Sequence, residues 1–98
     1  MSHRIRLGPP WEVSADGTRH VRRFGRPRTL DADEQVWLVC GSLTEGSEVL
    51  VNGTSVGTSA GGAFAVDITS LLQPRNELAI TLPAATALGD IALEIRSG

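Results

Sequence analysis

The sequence predicts an all-β fold, an antiparallel two-sheet β-sandwich of about eight strands with one short helical turn, and three observations carry that reading. Short apolar or alternating runs recur along the chain with turn signals between them, and no segment has an amphipathic pattern of helix length. Asn52-Gly53, set between Val49–Val51 and the returning Ser55-Val56, is the signature of a two-residue type I′ hairpin turn. Eleven Gly and five Pro in 98 residues supply the many turns that a sandwich needs. A chain of this length supports one domain, residues 1–98, with a single core.

Taken in order, Ile5 and Leu7 alternate with Arg4 and Arg6 as a first short strand, which Gly8-Pro9-Pro10 breaks. Trp11–Val13 and Thr18–Phe24 flank Ala15-Asp16-Gly17, a hairpin loop. Pro27 ends pairing, and Asp31-Ala32-Asp33-Glu34 is a polar connection into the strand Gln35–Gly41. Apolar residues of both parities in that strand predict a central position with both faces covered. After the Asn52-Gly53 hairpin, Gly61-Gly62 bends the chain into an alternating strand, Phe64–Asp67. Asp67 or Thr69 then caps one helical turn that Pro74 helps to stop. Asn76–Leu82 and Asp90–Arg96 are the last strands. Leu38, Leu50, Val51, Val66, Ile68, Leu78, Ile80, Leu93 and Ile95 are expected to form most of the core, joined by Trp37 and Phe64.

The motifs V-L-V-N-G-x-x-V-G, G-G-A-F-x-V-D-I-T-x-L-L and N-E-L-A-I-T-L, between Val49 and Leu82, carry a resemblance. They are similar to the jelly-roll sugar-binding domain of the family 2 glycoside hydrolases, the β-galactosidase, β-glucuronidase and β-mannosidase group, a galactose-binding-like fold. The close match covers about a third of the chain, with shorter likenesses at Arg22-Arg23-Phe24, Pro27 and Asp33–Leu38. The chain is shorter than the usual domain of that group, and no barrel bearing catalytic carboxylates follows in it. The resemblance implies a jelly roll, a carbohydrate-enzyme context and, in that group, a scaffold that packs on the catalytic barrel.

Charge divides the functional classes. The basic residues are all Arg, and residues 1–30 hold seven of the nine against Glu12 and Asp16, so the first third is +5 and the remainder −7, summing to −2. The Arg-rich stretch from Arg19 to Arg28 could meet an acidic partner. The overall acidic balance opposes nucleic-acid binding, and strand-facing arginines are expected to pair with Glu48, Glu77 or Glu94 on neighbouring strands. The apolar run Val36–Cys40 is too short to span a bilayer, and the first residues lack the apolar core of a secretory signal. The expected compartment is the cytoplasm, in accord with a lone cysteine.

Chemistry is sparse. Cys40 ends an apolar run and reads as a buried inert thiol rather than as a partner of His3 or His20. Two scattered His and one Cys lack the spacing of a zinc site, and Asp31, Asp33 and Glu34 lack the Gly and distal Glu of a calcium loop. No cofactor, metal or catalytic residue is assigned, and the chain is not expected to be an enzyme. Sugar binding needs an aromatic platform beside planar hydrogen-bonding groups. Trp11 is the large aromatic outside an evident core run, and Arg19 and His20 lie near it across a hairpin, so these residues form the candidate ligand site. Two functions follow: a small non-catalytic carbohydrate-binding module, or an interaction or structural domain. The second would pair with itself or another protein through edge strands or the Arg-rich first third.

Overall fold

The computed structural model describes residues 3–27 and 30–97. Arg28, the last member of the Arg-rich stretch, lies outside the described residues. Strands β1 (His3–Arg6), β2 (Glu12–Val13), β3 (Arg19–Gly25), β4 (Glu34–Leu43), β5 (Glu48–Val51), β6 (Thr54–Thr58) and β7 (Gly62–Asp67) come first. A 3-10 turn over Thr69–Leu71 separates them from β8 (Arg75–Thr81) and β9 (Ile91–Ser97). They form two antiparallel sheets, ordered β1-β9-β4-β7 and β2-β3-β8-β5-β6. The chain crosses from sheet to sheet at most connections and stays within one sheet only at the β2–β3 and β5–β6 hairpins. The expected sandwich is therefore present, and β4 is central to its sheet.

Local chemistry explains the turns. Asn52 (φ 52°) and Gly53 (φ 81°) both occupy the left-handed region, as a type I′ turn requires. At Gly57 the reason is a close approach: a Cβ there would lie 3.1 Å from Cζ of Phe64, whose ring closes one side of the sandwich over β6. The 3-10 turn begins after Ile68, not after Asp67 or Thr69, and the residue at the cap has no side-chain hydrogen bond. Asp67 acts one step earlier, its Oδ1 accepting from the Thr69 backbone N–H at 2.9 Å and from its hydroxyl at 2.6 Å.

Strand alternation decides the core. Val36, Leu38 and Cys40 of β4 face Ile91, Leu93 and Ile95 of β9 within one sheet, and Val49, Val51, Leu78 and Ile80 face them from the other. Seven of the expected core residues are fully buried, but Leu50 is half-buried and Val66 packs only partly against the core. Leu50 points outward, in a row with Val21 and Ala79, because Val49 and Val51 on either side of it take the inner face. Phe64 packs against the core as expected.

Trp37 requires a larger correction. It alternates with the buried Val36 and Leu38, so it stands on the outer face of its sheet, half-buried and outside the core cluster. The outer face of β4 has no second layer over it; side chains of its own sheet cover it. Ion pairs run where alternation places them: Arg4 with Glu94 (2.9 Å), Arg6 with Asp90 (2.7 Å) and Arg23 with both Glu12 and Glu77. All include an exposed side chain and contribute little to stability.

Candidate functional site

Trp11 and His20 line one open cleft of about 470 Å³, together with Arg6, Leu7, Leu88 and Asp90. Its construction starts at the end of β1. The Leu7 N–H donates to the Ile91 carbonyl (2.9 Å), which extends the β1–β9 pairing by one residue before Gly8 and the cis Pro9–Pro10 peptide turn the chain. That turn delivers Trp11 back over Leu7, where the indole Nε1–H donates to the Leu7 carbonyl at 3.3 Å. The indole thus has its polar edge occupied and packs part of its surface on the core.

His20 enters from β3, whose register sets it opposite Ile80 and Val13. Its inward position leaves it 8% exposed, and its Nε2 is buried without a hydrogen-bond partner among the described residues. Buried ring nitrogens are ordinarily satisfied, and an unmade bond of this kind costs about 1–3 kcal/mol. At the rim Arg6 Nη2 donates to Asp90 Oδ1, and the two side chains are largely exposed. The cleft therefore combines an aromatic wall and apolar Leu7 and Leu88 with a guanidinium–carboxylate pair, while the His20 Nε2 stays enclosed behind its surface. Such a mixture suits a polyhydroxylated ligand with an apolar side, in a volume typical of small-molecule sites.

Arg19 lies elsewhere. Adjacent residues of a strand point to opposite faces, so with His20 inward Arg19 points outward, beside Thr81 and exposed. Arg6, Leu88 and Asp90 were not singled out in the sequence. No local motif marks them, since antiparallel pairing of β1 with β9, some 85 residues apart in the chain, brings Arg6 to Asp90. Among the described residues no group of three or more His, Cys, Asp or Glu side chains could hold a metal ion. Asp31 and Glu34 bond to each other, the Asp31 N–H donating to Glu34 Oε1 at 2.9 Å. No helix among the described residues is long and apolar enough to cross a membrane.

No family model matches the sequence, and no curated protein matches it. Solved structures do match the fold. An FMN-binding β-glucuronidase from Facaelibacterium prausnitzii L2-6 superposes with a TM-score of 0.74 at 22% identity, over 96% of this chain and 22% of that one. A β-glycosidase from Bacteroides vulgatus gives 0.64 at 22% identity, over 81% of this chain and 12% of that one. Bifidobacterium dentium β-glucuronidase gives 0.65 at 17% identity, over 88% and 25%. The chain thus has the fold of a β-sandwich found within glycoside hydrolases, as the motifs between Val49 and Leu82 imply. It spans a quarter or less of the length of these enzymes.

Proposed function

We propose that this chain is a non-catalytic accessory module that binds carbohydrate in the Trp11–His20 cleft. The observation that carries the reading is the pairing of the Trp11 wall with the exposed Arg6–Asp90 guanidinium–carboxylate pair in one open cleft. A pyranose lays its C–H face on an indole and directs hydroxyls at neighbouring polar atoms; here Arg6 and Asp90 offer a donor and an acceptor at the rim. The fold's occurrence as a small part of glycoside hydrolase chains supports an accessory rather than a catalytic role.

An open cleft desolvates few groups, so dissociation constants of about 0.1–1 mM are expected, or about −5.5 to −4.1 kcal/mol. Neutral mono- and oligosaccharides titrated into the labelled protein should shift the indole N–H of Trp11 and amides near residues 6–8, 20 and 88–91. The variant Trp11→Ala, checked for folding by its amide spectrum, should lose most of that response. Unaltered binding by folded Trp11→Ala would remove this residue from the site. Absence of any saccharide response, with self-association as concentration rises, would favour an interaction domain working through its edge strands.

A further inference from the structure

A second open cleft, of about 620 Å³, lies where the β1 edge of one sheet faces β3 and β8 of the other. Ile5 and Phe24 contribute apolar wall, and Arg22, Arg23 and Arg75 surround it against a single carboxylate, Glu77. The arginines differ in how their charge is met. Arg6, which also lines this cleft, is held by Asp90, and Arg23 is divided between Glu12 and Glu77. Arg22 is half-buried, and among the described residues its guanidinium donates only to neutral carbonyls, through Nε to Gly8 at 2.8 Å and through Nη1 to Arg23. Arg75 has no side-chain hydrogen bond or ion pair to any described residue.

A guanidinium partly removed from water and bonded only to carbonyls keeps its whole charge, and carbonyl oxygens do not neutralise it. In a chain of net charge −2, two arginines without acidic partners beside one cleft make a local positive site. We propose that this cleft binds a small organic oxyanion, a carboxylate or a phosphate borne on a body that lies against Phe24 and Ile5. The planar forks of Arg22 and Arg75 suit two-point contact with such a group, which Lys would not provide. The apolar wall gives the rest of the ligand a surface, so a bare inorganic ion uses only part of the cleft. This site adjoins the Trp11–His20 cleft, with Arg6 and Leu7 lining both, but it rests on Arg22 and Arg75, which do not line that cleft, and it stands whether or not a neutral sugar binds there.

The test compares glucose, glucuronate and glucose 6-phosphate, which share a sugar body and differ in the charged group. Each is titrated into the labelled protein, with shifts followed at the Arg22 Nε–H and at the amides of residues 22–25 and 75–77. One or both anions are expected to shift these signals while glucose at equal concentration does not, and the anion that responds identifies the source of the oxyanion. Raising sodium chloride tenfold should weaken the response. Arg75→Gln, at an exposed side chain without partners, should leave the fold intact and weaken binding by about tenfold, and Arg22→Gln should weaken it at least as much. The proposal is overturned if neither anion shifts these residues, if glucose shifts them equally, or if folded Arg75→Gln and Arg22→Gln both bind as the unaltered chain does.

Discussion

The guanidinium carbon of Arg96 lies 4.4 Å from the centre of the Trp37 ring, on the outer face of the four-stranded sheet. The two residues are on paired strands, with Glu94 opposite Trp37 and Arg96 one diagonal step away. Glu94 fixes the arrangement, its Oε1 accepting from Arg96 Nε (3.1 Å) and Nη2 (2.9 Å) while Oε2 accepts from Arg4. On the other side the indole Nε1–H donates to Gln35 Oε1 at 3.1 Å. A tryptophan is thereby kept on a sheet surface with no second layer above it, its ring shielded by a cation and its N–H satisfied.

Arg96→Ala should therefore destabilise the domain by about 0.5–1 kcal/mol, the size of a half-exposed cation–π contact. The loss should be less than additive with that of Trp37→Ala, and a double-mutant cycle in urea measures the coupling. A coupling indistinguishable from zero would mean that Arg96 lies over the ring without stabilising it.

A pair of amides, Asn52 and Asn76, ties several elements of the fold together. Asn52 Nδ2 donates to Asn76 Oδ1 (3.0 Å) and to the Leu71 carbonyl (2.9 Å), and its Oδ1 accepts from the Glu77 N–H (2.8 Å). Asn76, 4% exposed, accepts from the Gln73 N–H (2.8 Å) and donates to the Gln73 carbonyl (2.9 Å). The β5–β6 turn, the 3-10 turn and the start of β8 are joined through these two side chains. Asn76→Ala should cost about 2–3 kcal/mol because it removes the acceptor of the Gln73 N–H, one of the two acceptors of the Asn52 Nδ2, and the donor to the Gln73 carbonyl. Asn76→Asp should be nearly as costly, since a carboxylate cannot donate to the Gln73 carbonyl; the shift of the urea midpoint tests both.

Much of this was legible in the chain, and the misreadings share a cause. Asn52-Gly53 announced its turn because only a few residues tolerate that backbone, and β9 announced its inner face because Ile91, Leu93 and Ile95 alternate with Glu94 and Arg96. In β4 and β5 apolar residues occupy both parities, so periodicity alone does not say which set is buried. Bulk then misleads: Trp37 and Leu50 look like core, yet the smaller Val36, Cys40 and Val49 fill the space between the sheets. The same alternation separates Arg19 from His20, and that much was readable from their adjacency. The pairing of Arg6 with Asp90 and the lack of a partner for His20 Nε2 are products of topology and were not.

Asp16 provides a test in acid. Its Oδ1 accepts from the Ser14 hydroxyl (2.6 Å), the Thr18 hydroxyl (2.8 Å) and the Thr18 backbone N–H (3.1 Å), closing the β2–β3 hairpin. These bonds, the one from Ser14 first, hold its carboxyl at about 2, below the ordinary 3.8. A carboxyl lowered by folding stabilises the folded state fully above its unfolded value, so the contribution is present above pH 3.8 and fades as pH falls through about 2. A carbon-detected titration of Asp16 should give a midpoint near 2, and Ser14→Ala should move it upward; a midpoint near 4 in the unaltered chain would show that the hairpin bonds do not persist in solution.

Cys40 tests the core at the opposite end of the scale. It is fully buried on the inner face of β4, opposite Ile91 of β9, and burial raises its thiol from 9.0 to about 11. Folding favours the protonated form, so stability is unaffected below pH 9.0 and declines as pH rises toward about 11. At pH 8 the folded chain should react with a chromogenic disulfide far more slowly than the urea-unfolded chain, at a rate set by opening of the sheet rather than by thiolate chemistry. Cys40→Ser is nearly the same shape but places a hydroxyl in an apolar setting, and it should cost about 1–3 kcal/mol in urea unfolding. Rapid labelling of the folded protein, or a serine variant as stable as the parent, would mean that β4 presents Cys40 to water and that the inner face of the sandwich is assigned to the wrong parity.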